Sequence, residues 1–195
     1  MLHGFAVILR TIAMKLERLS VATGTMRKGM TLREFFEECV RCNVAGLPYV
    51  DDQGSVIGRI SIRDVYKHMA IPDHLIQVAH VLGDQTDKID LPEMKVMETM
   101  AEPVENYLLE NIPSVSPRSS IVKALAIMEM FNTSYIFLID DEGYKGIVTR
   151  MVIARRMLSC VQEKEDETRQ STHDAISVSE PTATRKDDSC FHGKE

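Results

Sequence analysis

The sequence contains no tryptophan, and only 6% of its 195 residues are aromatic. Because 12 methionines supply much of the apolar volume, we expect an aliphatic and adaptable core. Cysteines are also few: the four at positions 39, 42, 160 and 190 cannot form the dense disulfide framework of a small secreted protein. They fit a reducing cytoplasm, and the chain length fits one hydrophobic core.

Clustered positive charge is absent as well. The formal net charge is -6, and the stretch from Ser159 onward, with nine acidic and five basic residues, carries most of it. The rest of the chain is nearly neutral, so it offers no broad electrostatic attraction for nucleic acid or for an anionic membrane. Neither is expected as a partner.

The N-terminal region has no long apolar run. The run at residues 5–9 is too short to span a bilayer, and no small-residue cleavage site follows it. No export signal is therefore predicted. Residues 1–15 are expected to be an extension, and either Met1 or Met14 is the natural first residue.

An internal repeat organises the rest of the chain. Residues 31–56 align with residues 120–145 at an offset of 89, and residues 58–69 align with residues 146–157 at an offset of 88. Each copy shows a Thr or Ser N-cap, a helix, an apolar strand, an Asp-Asp-x-Gly turn, a second strand and another helix. We therefore predict two copies of one β/α unit, over residues 16–70 and 96–158.

The first helix of copy one and the first helix of copy two differ in their apolar patterns. In copy one the apolar residues share one face of the helix: Leu32, Phe35, Phe36, Cys39 and Val40. In copy two Ile127 and Met130 lie off the equivalent stripe, which predicts a helix with two buried faces.

Two polar segments lie outside the copies. Residues 71–95 are predicted to be a helical linker, with one helix over Asp73–Leu82 and another that begins near Pro92. Residues 159–195 contain few large apolar groups and cannot bury enough surface to offset their ordering entropy. We predict that they form a disordered tail.

The junction between the second strand and the following helix contains candidate ligand-binding groups. Residues 58–64 of copy one read Gly-Arg-Ile-Ser-Ile-Arg-Asp. At such a junction a phosphate can bind to free backbone N–H groups and the Ser61 hydroxyl, and Asp64 can accept hydrogen bonds from ribose hydroxyls. Alternatively, Ser61 is only an N-cap and Asp64 its capping-box partner.

The paired copies resemble tandem CBS domains, also called a Bateman module. The resemblance covers about residues 16–158 and rests on Gly-Leu-Pro-Tyr-Val-Asp at 46–51 and Gly-x-Ile-Ser-x-x-Asp at 58–64. It implies an α+β fold in which two CBS β/α repeats pack as a pseudo-two-fold pair through their sheets, with an extra helical linker. It also implies two clefts that bind adenosine-containing ligands such as AMP, ADP, ATP or S-adenosylmethionine.

In the first cleft the resemblance assigns Ser61 to the phosphate and Asp64 to the ribose, with an adenine slot beside the first strand. The ligand-binding residues expected there are Thr23, Thr25, Met26, Ala45, Gly46, Leu47, Pro48, Ser61, Arg63 and Asp64.

The second cleft is expected to bind more weakly. Copy two has Val152 in place of the ribose acceptor, and Tyr135 and Phe137 crowd its cleft. Its expected residues are Ser114, Ser134, Tyr135, Ile136, Thr149 and Arg150. Arg155 and Arg156 either meet phosphates or lie on a solvated helix face.

Cys39 and Cys42 lie three residues apart, a spacing that suits a metal or redox pair. No second pair completes a metal site, and the two thiols lie at the far end of their helix, where the helix dipole does not lower a thiol pKa. We therefore predict no metal and expect Cys39 to pack in the core. Nor does the sequence contain a recognisable catalytic triad or Gly-rich phosphate loop, so no enzymatic activity is predicted.

Together these features favour a regulatory protein that senses an adenine nucleotide, requires no cofactor and signals to an effector protein. Surplus apolar side chains predict a homodimer; they are Tyr66, Met69, Ile127, Met130 and Met151. A ligand-free dimerising scaffold is the second interpretation. A thiol switch at Cys39 and Cys42 is the third.

Overall fold

The computed structural model describes residues 15–70, 81 and 96–177. Copy one contains a 3₁₀ helix at Leu16–Leu19, helix α1 at Leu32–Cys42, strands β1 at Gly46–Val50 and β2 at Val56–Ser61, and helix α2 at Ile62–Ala70. Copy two contains helix α3 at Val96–Met100, a 3₁₀ helix at Val104–Tyr107, strand β3 at Ser114–Val115, helix α4 at Ile121–Met130, strands β4 at Tyr135–Asp140 and β5 at Gly143–Thr149, and helix α5 at Arg150–Ser177.

This order of elements confirms the predicted pair of α+β copies. The extension up to residue 14, the predicted helix at residues 73–82 and the start of the helix near Pro92 lie outside the described residues.

Local sequence signals explain the first helix of each copy. The Thr31 hydroxyl accepts a hydrogen bond from the Glu34 N–H at 3.4 Å, and the Glu34 carboxylate accepts one from the Thr31 N–H at 2.7 Å. In copy two the Ser120 hydroxyl accepts from the Lys123 N–H at 3.2 Å. Both predicted N-caps are therefore confirmed.

Both helices also stop in the same way. Asn43, directly after α1, and Asn132, two residues after the end of α4, have φ angles of 53° and 48°. They are equivalent positions of the repeat, and asparagine tolerates this left-handed conformation better than most residues. The strands that follow also share a register shift, after Tyr49 in copy one and after Leu138 in copy two.

Each copy pairs with the leading segment of the other copy. The leading segments are residues 16–21 in copy one and residues 104–109 in copy two. Strands β1 and β2 form one antiparallel sheet, and β4 pairs with β3 in parallel and with β5 antiparallel. Val21 exchanges two backbone hydrogen bonds with Ile147 at 2.8 and 3.0 Å, and Leu109 exchanges two with Arg59 at 2.9 Å each. Both pairs are related by the offset of 88, so the repeat extends upstream of Thr31 to the two 3₁₀ helices.

The two hydrophobic cores show the same exchange. Val104 and Tyr107, from the leading segment of copy two, belong to the core around Phe35. Leu16 and Leu19, from the leading segment of copy one, pack in the core of copy two. Neither copy completes its core alone, as the pseudo-two-fold packing requires.

Helix α4 does not have the two buried faces that the sequence predicts. Its buried residues are Ile121, Ala124 and Met128, and Ile127 packs against them while partly exposed. Met130 is 71% exposed. Because one face of the helix suffices to cover the sheet of copy two, the additional apolar residues lie at its margin or in solvent.

Helix α5 corrects the prediction for the start of the tail. Residues 159–177 are helical, whereas the sequence predicts a tail without regular structure from residue 159. Residues 163–170 are mostly strong helix formers, and Glu165 and Arg169 have the spacing of a helical ion pair. Low apolar content argues against core packing, but it does not prevent a helix.

The end of the chain, from Leu158, forms a second compact unit. Its residues 161–170 are largely exposed. Within the described ranges, no helix is both long enough and apolar enough to cross a membrane.

The exchange of leading segments can be tested at Leu16, which is fully buried. Leu16→Ala should lower the free energy of unfolding by about 2–5 kcal/mol, because it leaves a cavity in the core of copy two. Urea denaturation measures this change. The control, Val122→Ala at a position that is 55% exposed, should change it by less than about 0.5 kcal/mol. Equal effects of the two substitutions would contradict the exchange.

Candidate functional site

A polar cavity of about 630 Å³ lies between the two copies. Copy one lines it with Ala45, Arg59, Ser61, Arg63 and Asp64, and copy two lines it with Asn111, residues 131–135 and Arg150. Small-molecule sites typically have volumes of about 300–1,000 Å³. The cavity therefore has the size of a ligand site.

A second cavity, of about 440 Å³, is the repeat-related counterpart of the first. It is lined by residues 43–45, which are equivalent to residues 132–134 of the polar cavity, and by Thr149 and Met151, which are equivalent to Ser61 and Arg63. Cys39, Val40 and Ile62 make its wall more apolar. The two copies thus form two clefts of different chemical character.

Only part of the predicted first site lines the polar cavity. Ala45, Ser61, Arg63 and Asp64 do so. Six predicted residues line neither cavity: Thr23, Thr25, Met26, Gly46, Leu47 and Pro48.

Their environments explain why these residues line neither cavity, and the adenine slot stays a prediction. Met26 and Leu47 are 2% and 0% exposed and pack in the core, and Gly46 and Pro48 are buried in β1. The Thr23 hydroxyl hydrogen bonds with the Tyr144 hydroxyl at 2.7 Å. Thr25 is half-buried.

The residues predicted for the second cleft are distributed over both cavities. Ser134 and Arg150 line both, Tyr135 lines the polar cavity, and Thr149 lines the smaller one. Ser114 and Ile136 line neither: Ser114 pairs with Phe137 in the sheet, and Ile136 is fully buried. Arg155 and Arg156 line neither cavity. Copy two thus contributes much of the wall of the polar cavity.

Ser61 and Asp64 do not form the capping box that the sequence allows. In copy two the Thr149 hydroxyl accepts a hydrogen bond from the Val152 N–H at 3.2 Å, as an N-cap does. In copy one no equivalent bond joins Ser61 and Asp64. The half-buried Asp64 carboxylate has no hydrogen bond or ion pair with any described residue, although it lines the cavity.

Tyr135 crosses from copy two towards copy one. It is 1% exposed, and a Cβ atom built on Gly46 would overlap its hydroxyl, so the glycine makes room for the ring. Burial raises the pKa of Tyr135, and the nearby Asp64 carboxylate adds to this, whereas Arg59 and a hydrogen bond with Ser61 oppose it. Tyr135 is therefore a neutral phenol near pH 7.

Arg59 is the charged residue buried deepest in the cavity wall. It is 6% exposed. Its Nε donates to the Asn111 carbonyl oxygen at 3.1 Å and to Asn111 Oδ1 at 3.0 Å, and its Nη1 donates to the Tyr135 hydroxyl at 2.9 Å. No carboxylate of the described residues pairs with it.

Sequence reasoning missed both Arg59 and Asn111. The available signal was an arginine between Gly58 and Ile60, inside a strand that is otherwise uncharged. Asn111 had no local signal, because only the pairing of Leu109 with Arg59 brings it to the cavity.

The two cysteines of α1 lack the properties of a reactive pair. Cys39 is 1% exposed, which confirms the prediction that it packs in the core, and burial raises its pKa to about 12. Burial and a hydrogen bond to Glu38 raise the pKa of Cys42 as well. Over the described part of the chain, no group of three or more His, Cys, Asp or Glu side chains is placed to hold a metal.

Comparison with known proteins agrees with the fold. Residues 104–159 match the family model of the CBS domain. The "Methylated protein MJ0556" of Methanocaldococcus jannaschii is 40% identical over 45 residues, a match that covers 23% of this chain and 26% of that protein. The chain thus matches about a quarter of the length of this curated relative.

Solved structures extend the match to both copies. The CBS domain of a CBS domain-containing membrane protein from Sphaerobacter thermophilus superposes with a TM-score of 0.56 at 18% identity, over 78% of this chain and 93% of that chain. A CBS domain-containing protein of unknown function from Bacillus anthracis gives a TM-score of 0.54 at 17% identity, over 78% of this chain and 98% of that chain. At such identities the likeness concerns the fold alone.

The chain therefore has the α+β fold of a CBS pair. Residues 104–159 carry the sequence pattern of the family. Copy one repeats the same elements in the same order, which confirms the resemblance read from the sequence.

The state of Cys39 is testable by alkylation. With a pKa of about 12 against an ordinary value of 9.0, its thiolate fraction at pH 8 is about a thousandfold smaller than that of a free thiol. Iodoacetamide followed by peptide mass spectrometry should modify Cys39 far more slowly in the native protein than in urea. Similar rates in both conditions would contradict its burial and revive the thiol-switch interpretation.

Proposed function

We propose that this protein is a regulatory module that binds an adenosine-type nucleotide in the polar cavity and transmits its occupancy to an effector protein. CBS domain pairs are regulatory ligand-binding modules, and CBS-domain proteins are typically not catalytic. The observation that carries the proposal is the Asp64 carboxylate, which lines the cavity without a partner among the described residues.

The chemistry of the wall fits such a ligand. An ionised carboxylate only accepts hydrogen bonds, and its two oxygens can accept one from each of two vicinal ribose hydroxyls. Ser61 stands just before α2, where free N–H groups and the helix dipole favour a phosphate. Ala45 and residues 131–135 provide the remaining wall for the base.

The smaller cavity suits the same ligand less well. Its Thr149 hydroxyl already caps α5, and Val152 occupies the position equivalent to Asp64. Val152 packs against the core of copy two instead of lining the cavity. One nucleotide per chain is therefore the proposed stoichiometry.

A ligand in the polar cavity would contact both copies, because both supply its wall. It can carry a signal only if two arrangements of the copies, or of an oligomer, bind it with different affinity. An effector that prefers one arrangement would then respond to occupancy. We place this activity in the cytoplasm, with the adenine nucleotide as a regulatory ligand rather than a cofactor.

Asp64→Ala tests the ribose contact. Binding of AMP should weaken about thirtyfold, or roughly 2 kcal/mol, because two hydrogen bonds to a charged acceptor are lost. An AMP analogue without ribose hydroxyls should bind wild type weakly and lose little further in the variant. Calorimetry measures both. The free energy of unfolding should change by less than about 0.5 kcal/mol, since Asp64 caps nothing.

Ser61→Ala and Thr149→Ala form a matched pair for the same experiment. Thr149→Ala removes a helix cap, so it should cost about 1 kcal/mol of stability and leave AMP affinity unchanged. Ser61→Ala should weaken AMP binding, and it should lower the free energy of unfolding only through the loss of the hydrogen bond with Tyr135, because Ser61 does not cap α2. If no adenine compound binds the wild-type chain, the proposed function is rejected. If AMP binds tightly and Asp64→Ala does not change its affinity, only the assignment of the binding site is rejected.

Exposed apolar side chains support a homodimer, with or without a ligand. Met130 and Met151 are 71% and 59% exposed, and Tyr66 is 47% exposed. Two other expected contributors, Met69 and Ile127, are partly buried against the cores. Exposed apolar side chains can form an interaction site where they lie together. A ligand-free dimerising scaffold is the alternative function that these residues favour.

Light scattering tests self-association. The purified chain should have the mass of a dimer at tens of micromolar, and Met130→Glu together with Met151→Glu should shift it towards the monomer by placing charge in an apolar interface. Lys28→Glu, an exposed position in copy one, should leave the dimer intact. A monomer mass at every concentration would contradict the dimer and the scaffold together.

A further inference from the structure

We propose that Arg59 makes the polar cavity selective for anionic adenine nucleotides, and that it does so by pairing its buried guanidinium with a phosphate of the ligand. Neutral adenosine and the sulfonium S-adenosylmethionine should then bind more weakly. This inference rests on the proposed function and narrows the ligand class of the same cavity.

Contacts from copy two fix the orientation of the Arg59 guanidinium. Asn111 accepts from Nε through two oxygens, and the Tyr135 hydroxyl accepts from Nη1 at 2.9 Å. These bonds use two of the five N–H donors of an arginine, so three have no partner among the described residues. A planar guanidinium held in this way suits bidentate recognition of a phosphate.

All the partners of Arg59 are neutral. Asn111 and Tyr135 supply hydrogen bonds but no negative charge, and the Arg59 side chain is 6% exposed. A buried cation without a counter-ion is costly, and removing that cost favours the binding of an anion. Arg59 therefore has no negatively charged partner among the described residues, and a ligand phosphate would supply one.

The other charges of the wall do not supply this countercharge. Two further arginines line the cavity: Arg63, which donates to the Asn132 carbonyl oxygen at 2.9 Å, and Arg150, which pairs with Glu129 at the surface. Among the described residues that line the cavity, Asp64 is the single one with a carboxylate. Because Glu129 offsets the charge of Arg150, two guanidinium groups, those of Arg59 and Arg63, remain against one carboxylate; they leave the cavity positive and disfavour a cationic ligand.

This arrangement occurs in one copy only. The positions equivalent to Arg59, Asn111 and Tyr135 are Ile147, Thr23 and Gly46. Ile147 is fully buried, and the hydroxyl of Thr23 bonds to Tyr144. The buried charge is thus a property of the polar cavity and not of the repeat, and Ile147 supplies the matched substitution for Arg59.

The first arm of the experiment uses the wild-type full chain and three probes: AMP, adenosine and S-adenosylmethionine. Calorimetry should show AMP binding at least about tenfold more tightly than adenosine, and S-adenosylmethionine no more tightly than adenosine. Equal affinities for AMP and adenosine would overturn the Arg59 inference and leave the proposed function standing. Absence of binding by all three would reject the proposed function itself.

The second arm replaces the charge. Arg59→Ile, which copies the residue of copy two, should weaken AMP binding by about 30–100-fold and change adenosine binding by less than about threefold. Tyr135→Phe, which removes one contact that orients Arg59, should cost AMP about 3–10-fold and spare adenosine. Melting curves report whether each variant is folded.

Arg59 also joins the two copies, so a purely structural role must be distinguished. If it only joins them, Arg59→Ile should weaken AMP and adenosine equally, and this result would overturn the inference. Should Arg59→Ile fail to fold, Tyr135→Phe and Arg59→Lys decide: selective loss of AMP affinity in either supports the phosphate contact, and an equal loss of both ligands overturns it.

Discussion

The reciprocal backbone pairing of the two leading segments is the constraint on which the rest of the structure depends. Val21 pairs with Ile147, and Leu109 pairs with Arg59. These bonds anchor the apolar residues of each leading segment in the core of the opposite copy. The same pairing places Asn111, two residues after Leu109, against the Arg59 guanidinium. One set of main-chain hydrogen bonds thus completes both cores and builds one wall of the cavity.

Equivalent positions of a duplicated unit meet near its pseudo-two-fold axis, so a change in one copy alters the space of the other. Gly46 and Tyr135 are such a pair: the glycine leaves the volume that the tyrosine ring fills. The ring brings its hydroxyl to Arg59, whereas Ile147 offers no polar group at the equivalent position. A symmetric backbone therefore contains one polar cavity and one largely apolar cavity.

The parts of the fold that local signals determine could be predicted from the sequence. The caps at Thr31 and Ser120 are local, and they are confirmed. The exchanged segments could not be predicted, because residues 16–21 and 104–109 share little sequence and pair only across the chain. In the candidate site Ser61 and Asp64 could be identified by motif, but Asn111 reaches it through tertiary pairing alone. The start of α5 could be predicted, but its continuation beyond residue 158 could not, because that segment has few apolar residues and only helix propensity favours a helix there.

The position of Arg59 links ligand chemistry to the arrangement of the two copies. Its side chain belongs to copy one, whereas its hydrogen-bond acceptors belong to copy two. An anion that neutralises Arg59 would relieve the cost of its burial in this arrangement, and so would favour it over arrangements that return the guanidinium to water. By linkage, an effector that binds this arrangement preferentially would strengthen anion binding by the same factor. Charge at a single buried position can therefore couple nucleotide binding to the packing of the whole pair.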